Sequence, residues 1–106
     1  MRDSEDFTVA VRRGSSAGSP SLVAHVYPDS SREAAPLVGF VVSKAVGVAV
    51  ERNRVKRRLR HLMRDHLATL PVGSRVVIRA LPAAAGLSSS VLAADLLSAL
   101  QRAGAL

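Results

Sequence analysis

The sequence predicts one α+β domain over residues 1–106, in the order helix, two or three strands, helix, strand, helix. Three observations lead there. A chain of 106 residues with 48% hydrophobic content supports one modest core, and a second core would need roughly 100 residues more. The stretch from about Val48 to Leu70 repeats its apolar residues at helical spacing. Short apolar runs bounded by proline, glycine and polar loops flank it on both sides, as strands do.

At the N-terminus, Asp3 or Ser4 can cap a helix of two to three turns whose first turn carries Glu5 and Asp6. Phe7, Ala10 and Val11 fall at i, i+3, i+4, and Gly14 stops the helix. Residues 14–20, GSSAGSP, read as a flexible connection. LVAHVY (22–27) and the run Leu37 to Ser43 read as two adjacent antiparallel strands joined by the polar loop DSSREAAP. Lys44 and Gly47 then break the chain ahead of the long helix.

In that helix Val55, Leu59, Leu62, Met63, Leu67 and Leu70 form the apolar stripe, and Pro71 and Gly73 end it. RVVIRAL (75–81) is a nearly continuous apolar strand stopped by Pro82, followed by a flexible PAAAG. Ser88 to Ser90 cap a last helix with Leu92, Leu96, Ala99, Leu100 and Ala103 inward and Gly104 at its end.

Composition narrows the chemistry. There is no cysteine, which excludes disulfide scaffolds, thiol catalysis and cysteine-ligated zinc. His61 and His66 lie five apart, about 140° around a helix, and cannot share a metal as an i, i+4 pair would. No nucleophile is paired with a base, and Glu5 and Asp6, as neighbours on a helix, cannot flank one substrate bond. MRDSEDF lacks the apolar core of a signal peptide, and Leu81 to Leu100 is interrupted by Pro82, Gly86, three serines and Asp95, so no membrane span is read and a cytoplasmic location is expected.

The charge is the informative feature. The net formal charge is +7, and between Glu51 and His66 seven basic residues stand against two acids, a surplus of five. A base composition favouring arginine codons would explain arginine over lysine, but it would not cluster them. Asn53, Arg57, Arg60 and Arg64, spaced 4, 3 and 4, share one helix face; Arg54, Arg58 and His61 widen it, and Arg52 and Lys56 flank the apolar stripe. Like charges at i, i+4 cost a helix roughly 0.2–0.5 kcal/mol per pair, a cost that a bound anion relieves. Most charge runs are solvated faces; this one is one-signed and backed by an apolar stripe, and arginine forks match phosphate oxygens bidentately. Nucleic acid is the expected partner. Nothing forms a helix-turn-helix for the DNA major groove. Phe7, Tyr27 and Phe40, the only aromatics, read as core residues before stacking platforms.

RNRVKRRLR (52–60), preceded by VGFVVSKAVGVAVE, resembles the protein subunit of bacterial ribonuclease P, whose signature is an RNR-x-KR-x-x-R helix after a strand ending in SK and a glycine turn. Glu5, Asp6 and Phe7 with Gly14, and VVIRALP (76–82), extend the resemblance over nearly the whole chain. It implies an α-β-β-β-α-β-α sandwich around a mostly antiparallel four-stranded sheet, with a short extra strand near residues 14–19 and a left-handed crossover that the usual right-handed preference opposes. It further implies that Arg52, Asn53, Arg54, Lys56, Arg57, Arg60 and Arg64, with Lys44 nearby, face the catalytic RNA. Phe7, Val11, Arg12 and His25 would line a cleft for the 5′ leader of precursor tRNA. Catalysis would belong to the RNA and its Mg²⁺ ions, the protein improving substrate affinity and metal use as a monomer in a one-protein, one-RNA complex. Two departures stand out: Val11 occupies a position that is aromatic in many relatives, and the basic arm usual before the first helix is reduced to Arg2 beside Asp3, Glu5 and Asp6. The charge pattern by itself suits a structural RNA-binding protein of ribosomal type equally well; a stand-alone hydrolase lacks any candidate triad or metal cluster.

Overall fold

A computed structural model describes residues 4–106, so the candidate cap Asp3 and the N-terminal Arg2 lie outside the described residues. The chain runs α1 (Ser4–Arg13), β1 (Ser15–Gly18), β2 (Leu22–Tyr27), β3 (Leu37–Val41), α2 (Ala49–Leu67), β4 (Arg75–Ala80) and α3 (Ser89–Arg102), with 3₁₀ turns at Lys44–Val46 and Pro82–Gly86. The four strands form one sheet in the order β1-β2-β4-β3.

That order corrects two expectations. The GSSAGSP stretch is not simply a flexible connection: Ser15–Gly18 pairs antiparallel with β2, Ser15 opposite Val26 and Gly18 opposite Val23. Small side chains make a poor strand signal, but backbone pairing at a sheet edge needs none. Second, β2 and β3 are not neighbours. β4 lies between them, antiparallel to β2 (Leu22 opposite Ala80) and parallel to β3 (Leu37 opposite Arg75). β2 and β4 are the two interior strands: in β4 Val76, Val77 and Ile78 are all fully buried, while β2 alternates buried with half-buried residues. The edges fall to β1 and β3, none of whose residues is fully buried, and the continuously apolar β4 lies inside the sheet beside β2. The run from Leu37 also ends at Val41, not Ser43.

One face of the sheet carries the main core. Leu22, Ala24 and Val26 of β2 and Val76, Ile78 and Ala80 of β4 meet Val55, Leu59 and Met63 of α2 and Leu92, Leu96 and Leu100 of α3. Each such leucine, valine or methionine contributes roughly 1.5–3 kcal/mol on burial. Leu67, expected in the same stripe, is instead 44% exposed. The helix ends at that residue, and the following turn, with Thr69 and Leu70 both donating backbone N–H bonds to the His66 carbonyl, swings Leu70 into the core instead. PAAAG is also not a flexible stretch: it is the 3₁₀ turn, with Ala84 buried. Beyond it Ser88 caps α3 as expected, its hydroxyl accepting from Val91 N at 3.3 Å.

The other face is covered by α1, whose buried residue is Ala10. Gly14 closes this helix tightly against β2, and a Cβ there would meet the Ala10 carbonyl and, at 2.6 Å, the Val26 carbonyl oxygen. Gly73, with φ of 83°, makes a similar close approach to the backbone of Asp29 and Arg32, fixing the loop after β2 against the start of β4. No helix among the described residues is long and apolar enough to cross a membrane.

Candidate nucleic-acid interface

The basic face is built by the same periodicity that buries α2. With Val55, Leu59 and Met63 turned into the core, Asn53, Arg57, Arg60 and Arg64 are left exposed along the opposite side, together with Arg54, Lys56 and His61. An open groove of about 640 Å³ runs along this side, lined by the five arginines between positions 54 and 64, by His61 and Leu62, and by Ser89 from the first turn of α3. A second basin of about 350 Å³ is lined by Asn53, Lys56, Arg57 and Arg60. Arg57 and Arg60 border both and form the ridge between them.

Two arginines of the cluster behave differently from the rest. Arg58 is half-buried and its Nη1 donates to the Leu87 carbonyl at 3.0 Å, so it braces α2 against the segment leading into α3 while still lining the groove. Arg52 is half-buried beside the apolar stripe, and its Nε is buried without a hydrogen-bond partner. Lys44 is exposed in the 3₁₀ turn that leads into α2. Among the described residues no carboxylate forms an ion pair with any cation of α2; the ion pairs of Arg75 lie on the other face of the sheet. The cluster is therefore without an ion-pair partner among the described residues, the arrangement that suits an external polyanion.

A second set of expected residues lies on the α1 face. Phe7 and Val11 are half-buried, one helical turn apart, and Arg12 is exposed. His25 stands on β2 opposite Val77, on the face away from the main core. Burial, and then the positive charge of Arg79, hold its imidazole below the ordinary pKa, and its Nδ1 is buried without a partner. The structure thus brings Phe7, Val11 and His25 to one side of the sheet and separates them from the α2 cluster, which lies on the other.

Sequence reasoning passed over Arg75 and Arg79. Arg75 Nε donates to Asp6 Oδ1 at 2.7 Å and its Nη1 to Asp29 Oδ2 at 2.9 Å, so Asp6 is more than a helix-start acid. The available signal was the alternation in RVVIRA, which sends Arg75, Val77 and Arg79 to one face.

Comparison with known proteins agrees with this architecture. The Ribonuclease P family model matches residues 1–104. The ribonuclease P protein component of Streptomyces avermitilis is 58% identical over 109 residues, covering 96% of this chain and 89% of that protein. The corresponding protein of Nocardioides sp. is 51% identical, covering 99% and 91%. Among solved structures, the RNase P protein of Staphylococcus aureus superposes with a TM-score of 0.86 at 22% identity, covering 99% of this chain and 94% of that one. The RNase P protein of Thermotoga maritima does so with 0.80 at 23%, covering 96% and 94%. An α+β sandwich with three helices around four strands, the RNR helix laid on its sheet, and a family match over nearly the whole length lead to one assignment: the chain belongs to the ribonuclease P family.

Proposed function

We propose that this chain is the RNA-binding protein subunit of ribonuclease P, assisting a catalytic RNA in the endonucleolytic removal of the 5′ leader from precursor tRNA. The observation that carries the reading is the cation cluster of α2, without an ion-pair partner among the described residues and held rigid by Val55, Leu59 and Met63 beneath it. Arg52, Asn53, Arg54, Lys56, Arg57, Arg60 and Arg64, with Lys44 in the preceding turn, are the residues proposed to meet the catalytic RNA. Arginine forks pair with phosphate oxygens at fixed geometry, and each phosphate neutralised releases counterions. Binding also removes the repulsion among the cations themselves.

On the opposite face, Phe7, Val11, Arg12 and His25 are proposed to receive the leader of the substrate. Phe7 and Val11 offer apolar surface to bases, Arg12 a charge to the backbone, and the neutral His25 ring a hydrogen-bonding edge. The two faces let one small protein hold the catalytic RNA and the leader at once, which raises substrate affinity without any chemistry of its own. In this reading the Mg²⁺ ions that activate water belong to the RNA and the substrate phosphates, and the complex is one protein to one RNA in the cytoplasm.

Reconstitution tests the assignment. With the cognate RNA at low Mg²⁺, adding the protein is expected to accelerate cleavage of precursor tRNA at the leader junction. Cleavage unchanged by the protein would overturn the reading.

A further inference from the structure

The geometry points to Arg75 as a positioning residue for the α1 face proposed to receive the leader, acting through Asp6 on the rotation of α1; the inference rests on the assignment of that face to the leader. The helix has ten residues, short of the roughly 12–15 at which an isolated helix becomes marginally stable in water, so the sheet must hold it. Its one fully buried residue is Ala10. Asp6 lies one turn before Ala10, and the two make a stripe turned to the sheet, where Asp6 accepts from Arg75 at 2.7 Å. Phe7 and Val11 each follow that stripe by one residue, about 100° around the helix, and form its half-buried flank. A roll of α1 about its axis would change what Phe7 and Val11 present to a bound leader, and the Asp6 contact opposes that roll.

Arg75 can serve as a fixed point because it is itself fixed. Its second donor holds Asp29, its guanidinium lies 5.9 Å from the ring centroid of Tyr27, and Asp29 is in turn held by the N–H of Ser31 at 3.1 Å and by its hydroxyl. The Arg75 side chain is 16% exposed and those of Asp6 and Asp29 are 20% exposed, so the pairs are shielded from water and oriented by packing. At the far end of α1, Gly14 is locked against the Val26 carbonyl. Two anchors, one at each end, define the rotation of a helix too lightly buried to define it by packing.

The test uses the holoenzyme assembled with its cognate RNA and compares precursor tRNA bearing a leader of several nucleotides with one whose leader is cut to a single nucleotide. For the wild type the longer leader is expected to increase affinity. Asp6→Asn and Arg75→Lys should each reduce that gain about fivefold, with affinity for the short-leader substrate and for the RNA subunit unchanged, and Asp6→Glu should recover most of it. In the free protein, hydrogen exchange of α1 amides should quicken in Asp6→Asn while α2 and α3 exchange at wild-type rates. A full leader gain in both variants, or unaltered α1 exchange, overturns the positioning role while leaving the leader assignment standing. A wild type that gains nothing from its leader overturns the assignment and the inference with it.

Discussion

Arg58 donates through Nη1 to the carbonyl of Leu87 at 3.0 Å, joining the middle of α2 to the residue that precedes the cap of α3. Its neighbour Arg57 makes no such contact and lies exposed on the ridge between the two basic basins. Adjacent arginines of one motif thus divide the work, one bracing the fold and one facing outward.

The division is measurable by urea unfolding. Arg58→Ala should lower stability by about 1 kcal/mol, the net worth of a typical hydrogen bond, since the half-buried site leaves the guanidinium partly in water. Arg57→Ala should leave stability unchanged or raise it by roughly 0.2–0.5 kcal/mol, because it removes the i, i+3 repulsions with Arg54 and Arg60. Equal losses in the two variants would contradict the assignment.

Ser21 is fully buried, and its hydroxyl donates to Asp95 Oδ2 at 2.6 Å, while the Ser19 hydroxyl donates to the Asp95 carbonyl at 3.2 Å. This clamp holds α3 to the connection between β1 and β2. Asp95→Ala leaves the Ser21 hydroxyl unpaired in the interior, a loss of about 1–3 kcal/mol. The double variant Ser21→Ala with Asp95→Ala should be less destabilised than the sum of the singles, a difference that a double-mutant cycle reads directly.

These contacts show where the sequence stops being legible. The long helix, its buried and basic sides and the capped last helix are all set by local periodicity, and the charge cluster can be counted along the chain. Strand order is a different matter, because β4 pairs with β2 on one side and β3 on the other, and no local pattern in β2 or β3 announces that it lies between them. β1 is carried by backbone bonds under serine, alanine and glycine side chains. Arg75 pairs with Asp6 across 69 positions of sequence, and Arg58 is indistinguishable from Arg57 until Leu87 is beside it. The family resemblance supplied the extra strand near residues 14–19 that composition had hidden.

His25 gives the protein a pH signature. Its folded pKa is lowered by burial and by Arg79, so on acidification the unfolded chain takes up the proton first. The neutral ring therefore costs nothing above the ordinary imidazole value of about 6.5, and stability falls as pH drops from there toward the folded pKa. Unfolding followed between about pH 5 and 7 should show stability rising with pH in the wild type and a smaller slope in His25→Gln. An identical slope in the variant would remove His25 as its source.

Asp29 acts in a separate window. The hydrogen bonds from Ser31 and Arg75 hold its carboxyl below the usual carboxylate range, so the stability it lends is complete at neutral pH and is lost as pH falls through its depressed folded value, below about 4. Asp29→Asn should flatten that acid limb of the stability profile, and a limb of unchanged steepness would count against the Arg75 network as its origin.

The exposed side of α2 is proposed to meet RNA through its phosphates. The most direct measurement is the salt dependence of binding to the catalytic RNA, compared between the wild type and the Arg57→Ala, Arg60→Ala double variant. Each lost phosphate contact should flatten the log–log slope by roughly 0.7–0.9, so the double variant should bind more weakly with a slope shallower by about 1.4–1.8. A slope identical to the wild type's would take the basic face out of the interface.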